Sequence, residues 1–224
     1  MAQVLDTFTV GANELLSART PDTGTGYTSV YSGGTPNLQA VATTDACSAT
    51  TSDTPAGKAY SAQPDPTVVE YDLAVTVGAF SVSAARGQGL FARRADNDNV
   101  YGLQMGENGD TFSNKKIFKR VGGVNTELAA EDTAWAANDV VTFEIRDATK
   151  KIYQNGTERA STTDNALTAA GTWGLAAGNF PVFGDLTGTR SVNTMDTFSC
   201  TEVAAGGLSI PVAMQSYRQR RVLV

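Results

Sequence analysis

Val69, Tyr71, Leu73, Val75 and Val77 alternate with Glu70, Asp72, Ala74 and Thr76. A period of two over nine residues predicts a long strand with one apolar and one wet face. Asp65-Pro66, with Pro64, marks a turn just before it. Val141, Phe143 and Ile145 alternate in the same way with Thr142, Glu144 and Arg146. The next strand, through Lys151-Ile152-Tyr153-Gln154, runs into Asn155-Gly156. Both residues accept the positive φ angles of a type I′ turn, so a tight hairpin is predicted there.

Further strands are predicted at Gly89 to Arg94, Val100 to Met105, Lys116 to Val121, Lys150 to Gln154 and Trp173 to Ala177. Between them lie turn-forming clusters: Arg86-Gly87-Gln88-Gly89, Asp96-Asn97-Asp98-Asn99, Glu107-Asn108-Gly109-Asp110 and Val121-Gly122-Gly123. Helical periodicity is nearly absent. Short strands divided by such turns predict an all-β fold, an antiparallel β-sandwich. Asp6-Thr7-Phe8-Thr9-Val10 echoes Asp196-Thr197-Phe198-Ser199-Cys200. We read these as neighbouring first and last strands of one domain, each placing a phenylalanine in the core.

The chain has 224 residues, enough for one large β domain without metals or disulfides. Its net charge of −6 opposes wrapping of nucleic acid. Met1-Ala2-Gln3-Val4-Leu5-Asp6 has neither a basic start nor an apolar run, so no secretory signal is expected, and no stretch is long enough to span a membrane. Cys47 and Cys200 could be bridged only if the fold brings their strands together, and are expected to be buried or half-buried free thiols in a chain made in reducing cytoplasm. There is no histidine, which removes the commonest general base and transition-metal ligand.

Composition changes after residue 203. Ala204-Ala205-Gly206-Gly207 is a joint. Residues 208–224 then carry three arginines and no acid, a charge of +3 that leaves −9 on the rest. We therefore divide the chain into a body, 1–203, and a C-terminal arm, 204–224. With Leu208, Ile210, Val212, Met214, Tyr217, Val222, Leu223 and Val224 around Arg218, Arg220 and Arg221, the arm is too apolar for a solvated tail. The arm is expected to dock on its own body or on a neighbour.

Gly89-Leu90-Phe91-Ala92-Arg93-Arg94, the Asp/Asn turn and Val100-Tyr101-Gly102-Leu103 resemble the central hairpin of concanavalin A-like, laminin-G-like jelly rolls. Val140 to Ala177 resembles the next part of that fold, with a Ser/Thr-Asp loop at Ser161-Thr162-Thr163-Asp164 and a closing strand at Gly171-Thr172-Trp173-Gly174-Leu175. Asp196-Thr197-Phe198 resembles its last strand. Leu16-Ser17-Ala18-Arg19-Thr20-Pro21-Asp22-Thr23-Gly24 and the Tyr-Arg-Gln-Arg-Arg tail resemble features of jelly-roll proteins of tailed bacteriophages. That second resemblance implies a virion structural component, assembled in host cytoplasm.

Candidate chemistry is sparse. Jelly-roll glucanases need carboxylates at alternating positions of one strand, because only i and i+2 share a face. Glu70 and Asp72 are the nearest approach, and Ala74 and Thr76 add no third acid. Asp139, Glu144 and Asp147 do not share one face. No catalytic residue and no cofactor is expected. Asp96-Asn97-Asp98-Asn99 offers hard oxygen ligands for Ca²⁺, but reads better as a polar turn. Trp135, Trp173, Tyr27, Tyr31 and Tyr60 are candidates for a sugar-stacking platform on a concave sheet. Arg93, Arg94, Lys115, Lys116, Lys119 and Arg120 are expected to face outward toward the many acids.

The leading expectation is a non-enzymatic virion protein, a capsid decoration or cement protein that forms homo-oligomers. Its arm, through Leu208, Ile210, Val212, Met214, Tyr217, Arg218, Arg220 and Arg221, would bind other virion subunits, of capsid or tail. The alternative is a tail- or fibre-associated lectin that binds host glycan. A glycoside hydrolase stands third.

Overall fold

A computed structural model describes residues 1–32, 38–42, 46–49, 57–78, 88–105, 115–134, 136–177, 180–183 and 195–203. The arm and its eight expected contact residues lie outside these, as does Trp135. The strands, in chain order, are β1 (Gln3–Asp6), β2 (Glu14–Leu15), β3 (Gly26–Ser32), β4 (Leu38–Val41), β5 (Ala46–Ala49), β6 (Lys58–Gln63), β7 (Tyr71–Val77) and β8 (Gln88–Arg94). They continue as β9 (Val100–Met105), β10 (Lys115–Val121), β11 (Val124–Glu131), β12 (Val140–Arg146), β13 (Thr149–Gln154), β14 (Thr157–Thr163), β15 (Thr172–Ala177) and β16 (Met195–Glu202). The described residues contain no α-helix, only 3₁₀ turns at Leu16–Ala18 and Pro181–Phe183.

These strands form two antiparallel sheets. One has nine strands in the order β14-β13-β12-β7-β16-β5-β4-β2, with β1 added beside β16. The other has seven, β11-β10-β9-β8-β15-β6-β3. Between them lies a core that includes Leu73, Val75, Leu90, Leu103, Val141, Phe143, Ile145, Ile152, Trp173, Leu175 and Phe198. The predicted β13–β14 hairpin closes on Asn155 (φ 54°) and Gly156 (φ 77°). The echoing ends do pair, Val4 opposite Cys200 and Asp6 opposite Phe198, and both Phe8 and Phe198 are fully buried. Cys47 and Cys200 are buried and unbridged, and burial pushes both thiols up.

Side chains fix the first segment to this frame. Asp6 is fully buried and accepts from Arg19 Nε, the Phe8 amide and the Tyr27 hydroxyl at 2.7–3.0 Å. Asp22 accepts from the Thr7 amide and hydroxyl at 2.8 and 2.7 Å. Arg19, Asp22 and Thr23, within the 16–24 stretch that resembles phage jelly rolls, thus form a clasp on the end of β1. At the other end of β1, the Glu202 carboxylate accepts from the amides of Ala2, Thr67 and Val68 and from the Thr67 hydroxyl. Burial acts to raise its pKa, but those bonds hold it below the usual glutamate range.

Several expectations need correction. The strand expected from Val69 begins at Tyr71, and Val69 is exposed. Its wet face is not wet: β7 is central, between β12 and β16, and Asp72 and Ala74 are 4% and 1% exposed. Ser161, Thr162 and Thr163 belong to β14 rather than to a loop. Arg93 does not face outward. Ala92 and Arg93 together oppose Trp173 at a register shift, and Arg93 takes φ 47°. Such a bulge breaks the alternation. It leaves Arg93 2% exposed, with its guanidinium donating to Leu167 O and Val69 O, each at 2.8 Å. Lys115 is buried on Glu131 at 2.6 Å, and Lys119 pairs with Asp164.

Candidate functional site

The two outer sheet faces differ sharply. On the seven-stranded sheet, Phe91, Val100, Ala59 and Ala176 point away from the main core into a second apolar cluster. Phe180, Val182 and Phe183 cap it. Glycines make room: a Cβ at Gly102 would stand 2.5 Å from Val182 Cγ1 and 2.9 Å from Phe183 Cε1. Phe180 stacks with Tyr31, Phe91 and Phe183 at 5.4–5.8 Å between centroids. Asn125 Nδ2 donates to Pro181 O at 2.7 Å and fixes the cap. The chain itself fills the centre of this face.

The aromatic residues expected to form a platform are spent on packing. Trp173 is fully buried edge-on to Tyr71 at 5.0 Å, with Nε1 donating to Ala62 O and Pro64 O at 3.0 and 3.1 Å. Tyr27 and Tyr60 are core residues, and Tyr31 is half-buried against Phe180.

The nine-stranded sheet presents a different surface. Cross-strand partners share a face. Glu144 of β12 lies opposite Asp72 of β7 on one side and opposite Lys151 of β13 on the other. Lys151 in turn faces Ser161 of β14. Arg146, two residues beyond Glu144, shares the face and ties it together. Its guanidinium is 2.7 Å from Asp72 Oδ1 and 3.4 Å from Glu144 Oε2, and donates to Tyr71 O and Ile145 O at 3.1 and 2.9 Å. Lys151 pairs with Glu158 at 2.8 Å and lies 6.0 Å from the Tyr153 ring centroid. The Tyr153 hydroxyl donates to Glu144 Oε1 at 3.4 Å.

Electrostatics follow from these contacts. The Glu158 hydrogen bond raises Lys151, and the same bond lowers Glu158. Burial, then the Glu144 charge, raises Tyr153, so its hydroxyl stays a donor. The result is a strip of alternating sign, Glu158–Lys151–Glu144–Arg146–Asp72, each charge countered by a neighbour and an aromatic ring lying alongside. Of these, sequence reasoning singled out Glu144 and Asp72, and only as failed catalytic acids. Arg146, Lys151 and Tyr153 were placed on strands with no site role. Their alternation was visible; the register that aligns three strands was not.

The remaining candidates have structural partners. Asp96 accepts from the Asp98 amide at 2.8 Å and from Asn99 Nδ2 at 2.9 Å, so this stretch is a self-bonded hairpin turn. Asn99 and Asp98 lower its pKa. Arg120 pairs with Asp98 at 3.1 Å, Lys116 with Glu127 at 3.3 Å, and Arg94 donates to Val30 O at 3.0 Å. Among the described residues no three His, Cys, Asp or Glu side chains gather as a metal site.

Neither protein-family models nor curated proteins match this sequence. Solved structures do match the fold. The Ca²⁺/Man-bound exoplasmic/lumenal domain of VIP36 aligns with a TM-score of 0.59 at 10% identity, covering 88% of this chain and 92% of that one. Bacillus licheniformis β-glucanase gives 0.56 at 11%, covering 87% and 100%. The carbohydrate-binding module CBM66 from Bacillus subtilis gives 0.54 at 13%, covering 77% and 93%. The chain therefore has the concanavalin A-like jelly-roll fold that lectins and glucanases share.

Proposed function

We propose that this protein is a non-enzymatic carbohydrate-binding module, and that it meets glycan on the polar strip of the nine-stranded sheet. One observation carries the reading: the half-buried Arg146, Glu144, Lys151 and Tyr153, anchored on the buried Asp72, form a pre-ordered row of donors and acceptors beside an aromatic ring. Sugars are bound by such rows, with hydroxyls bridging carboxylate and guanidinium and ring carbons lying on an aromatic face. Because every charge already has a counter-ion, a neutral saccharide fits better than a uronate or an amino sugar. The net charge of −6 also opposes acidic polymers. The names of VIP36's Man-bound form and of CBM66 lend support by analogy of fold.

Hydrolysis is the weaker use of the same residues. It requires one carboxyl to hand a proton to the glycosidic oxygen. Here a single guanidinium engages both Asp72 and Glu144. In affinity electrophoresis through neutral polysaccharides, the protein is expected to be retarded. Arg146→Ala and Tyr153→Ala should each weaken that retardation about tenfold, the effect of losing about 1.4 kcal/mol, with unfolding midpoints showing that both variants remain folded. Equal retardation of folded variants and wild type would refute the assignment to this face.

A virion role is the second reading, favoured by the arm: +3 and apolar beside a body of −9. In it the arm latches onto a neighbouring virion subunit while the body displays the glycan face. Truncation at Gly206 is expected to abolish particle association and to leave the body folded. A truncated protein that still decorates particles would rule the latch out.

A further inference from the structure

Lys150 is an inward residue of β13 and is fully buried. Its Nζ donates to three main-chain carbonyls, Asp147 O at 3.1 Å, Ala148 O at 3.0 Å and Asp164 O at 2.5 Å. It also stands 4.5 Å from the ring centroid of Tyr101, on the opposite sheet. Two of the carbonyls belong to the β12–β13 turn and the third follows β14. Asp164 N donates to Ala148 O at 2.8 Å, so the same pieces of chain also bond each other.

The Asp164 carboxylate is engaged elsewhere, by the Tyr101 hydroxyl, Lys119 and the Ala166 amide. Among the described residues no carboxylate accepts a hydrogen bond from Lys150. Burial, then the charge of Arg93, pushes Lys150 down to about 8, so at neutral pH the caged group is still the ammonium.

Three converging carbonyl dipoles and an aromatic face make an acceptor set for a small monovalent cation. Such a neutral cage lacks the carboxylates that usually strip water from a divalent ion. We propose that this space is a cation-binding site for which the chain supplies its own cation, the Lys150 ammonium, holding the β12–β13 turn and the end of β14 against β9.

The test is rescue by an external cation. Thermal unfolding of the full chain and of its Lys150→Ala and Lys150→Met variants is measured in methylammonium, potassium, sodium and choline chlorides at matched ionic strength. Lys150→Ala takes the ammonium from three carbonyls lining a vacated space, of which Ala148 O keeps the Asp164 amide. In choline, which is too large to enter, it is expected to melt roughly 10 °C below wild type. Methylammonium should restore at least half of that loss with a saturable concentration dependence. Wild type should show no preference among the salts, and Lys150→Met, whose side chain refills the apolar approach but ends one atom short of the carbonyls and donates nothing, should be destabilised without rescue.

If Lys150→Ala fails to fold in choline, recovery of the folded signal on dilution into methylammonium supplies the same readout. Equal behaviour of Lys150→Ala in all four salts would overturn the proposal. So would a Lys150→Met variant as stable as wild type, because the cage would then have no need of positive charge.

Discussion

Arg19→Ala is expected to lower the unfolding free energy by about 3–5 kcal/mol, the usual consequence of stranding a buried charge. Asp6 has 0% side-chain exposure and Arg19 5%, and the pair meets at 2.5 Å through Nη2 while Nε bonds the same carboxylate. Without the guanidinium, Asp6 keeps, among the described residues, the Phe8 amide and the Tyr27 hydroxyl as neutral partners. The loss also removes the contact of Arg19 with the Phe8 ring, at 5.8 Å, and its bond to Glu14 at 3.4 Å. Urea denaturation measures the effect directly. Arg19→Lys should fall between the two, because it keeps the charge and loses the two-pronged geometry. The double variant Asp6→Leu, Arg19→Met should be milder than Arg19→Ala alone, since no uncompensated charge remains. An Arg19→Ala midpoint equal to that of wild type would show that water reaches Asp6 and that the clasp is dispensable.

Gly174→Ala is expected to be nearly as damaging, about 3 kcal/mol, at the upper end of overpacking costs. The added Cβ would stand 1.9 Å from the carbonyl oxygen of Tyr60 on the adjoining strand β6, and 2.8 Å from Phe91 Cζ. The first neighbour is backbone, and moving it would part β15 from β6, which are paired at this residue. Gly122→Ala is the matched comparison. It lies at the β10–β11 tip at φ 56° with nothing within 4 Å of the new methyl, so it pays only the left-handed backbone cost of about 1 kcal/mol. Soluble yield and urea midpoint of the two variants separate crowding from backbone preference. Equal stability of both would mean that β15 and β6 can move apart freely.

The sheet with the clearest alternation was the most legible. β12 and the β13–β14 hairpin follow from Val141, Phe143 and Ile145 and from Asn155-Gly156, because one face is buried and the turn chemistry is specific. β6 gave no such signal, for the opposite reason. Lys58-Ala59-Tyr60-Ser61-Ala62-Gln63 is buried on both faces with small residues, which gives no period of two and little strand propensity. β11 was hidden by Leu128-Ala129-Ala130, which alternates with nothing. Arg93 was misread because a one-residue bulge is a property of the pairing with β15 and not of the strand's own sequence.

The candidate site shows the same limit. Glu144 and Arg146 could be placed on one face from spacing alone. That Asp72, more than seventy positions earlier, lies opposite Glu144 is a fact of register. Glucanase acids lie along one strand, whereas this chain gathers its charges across strands. The aromatic candidates failed for a simpler reason: strand aromatics pack, and Trp173, Tyr27 and Tyr60 do so here.

The antiparallel ladder between β1 and β16 has a mechanical consequence. Gln3 lies opposite Thr201, so the start of β1 and the end of β16 lie at the same pole. Tension applied between residue 1 and residue 203 would peel β1 from β16 like a zipper, loading the rungs one after another instead of all together. A pull on residue 203 against the opposite pole would instead load β16 in shear along its ladder with β7, so resistance to rupture should depend on the direction of the force.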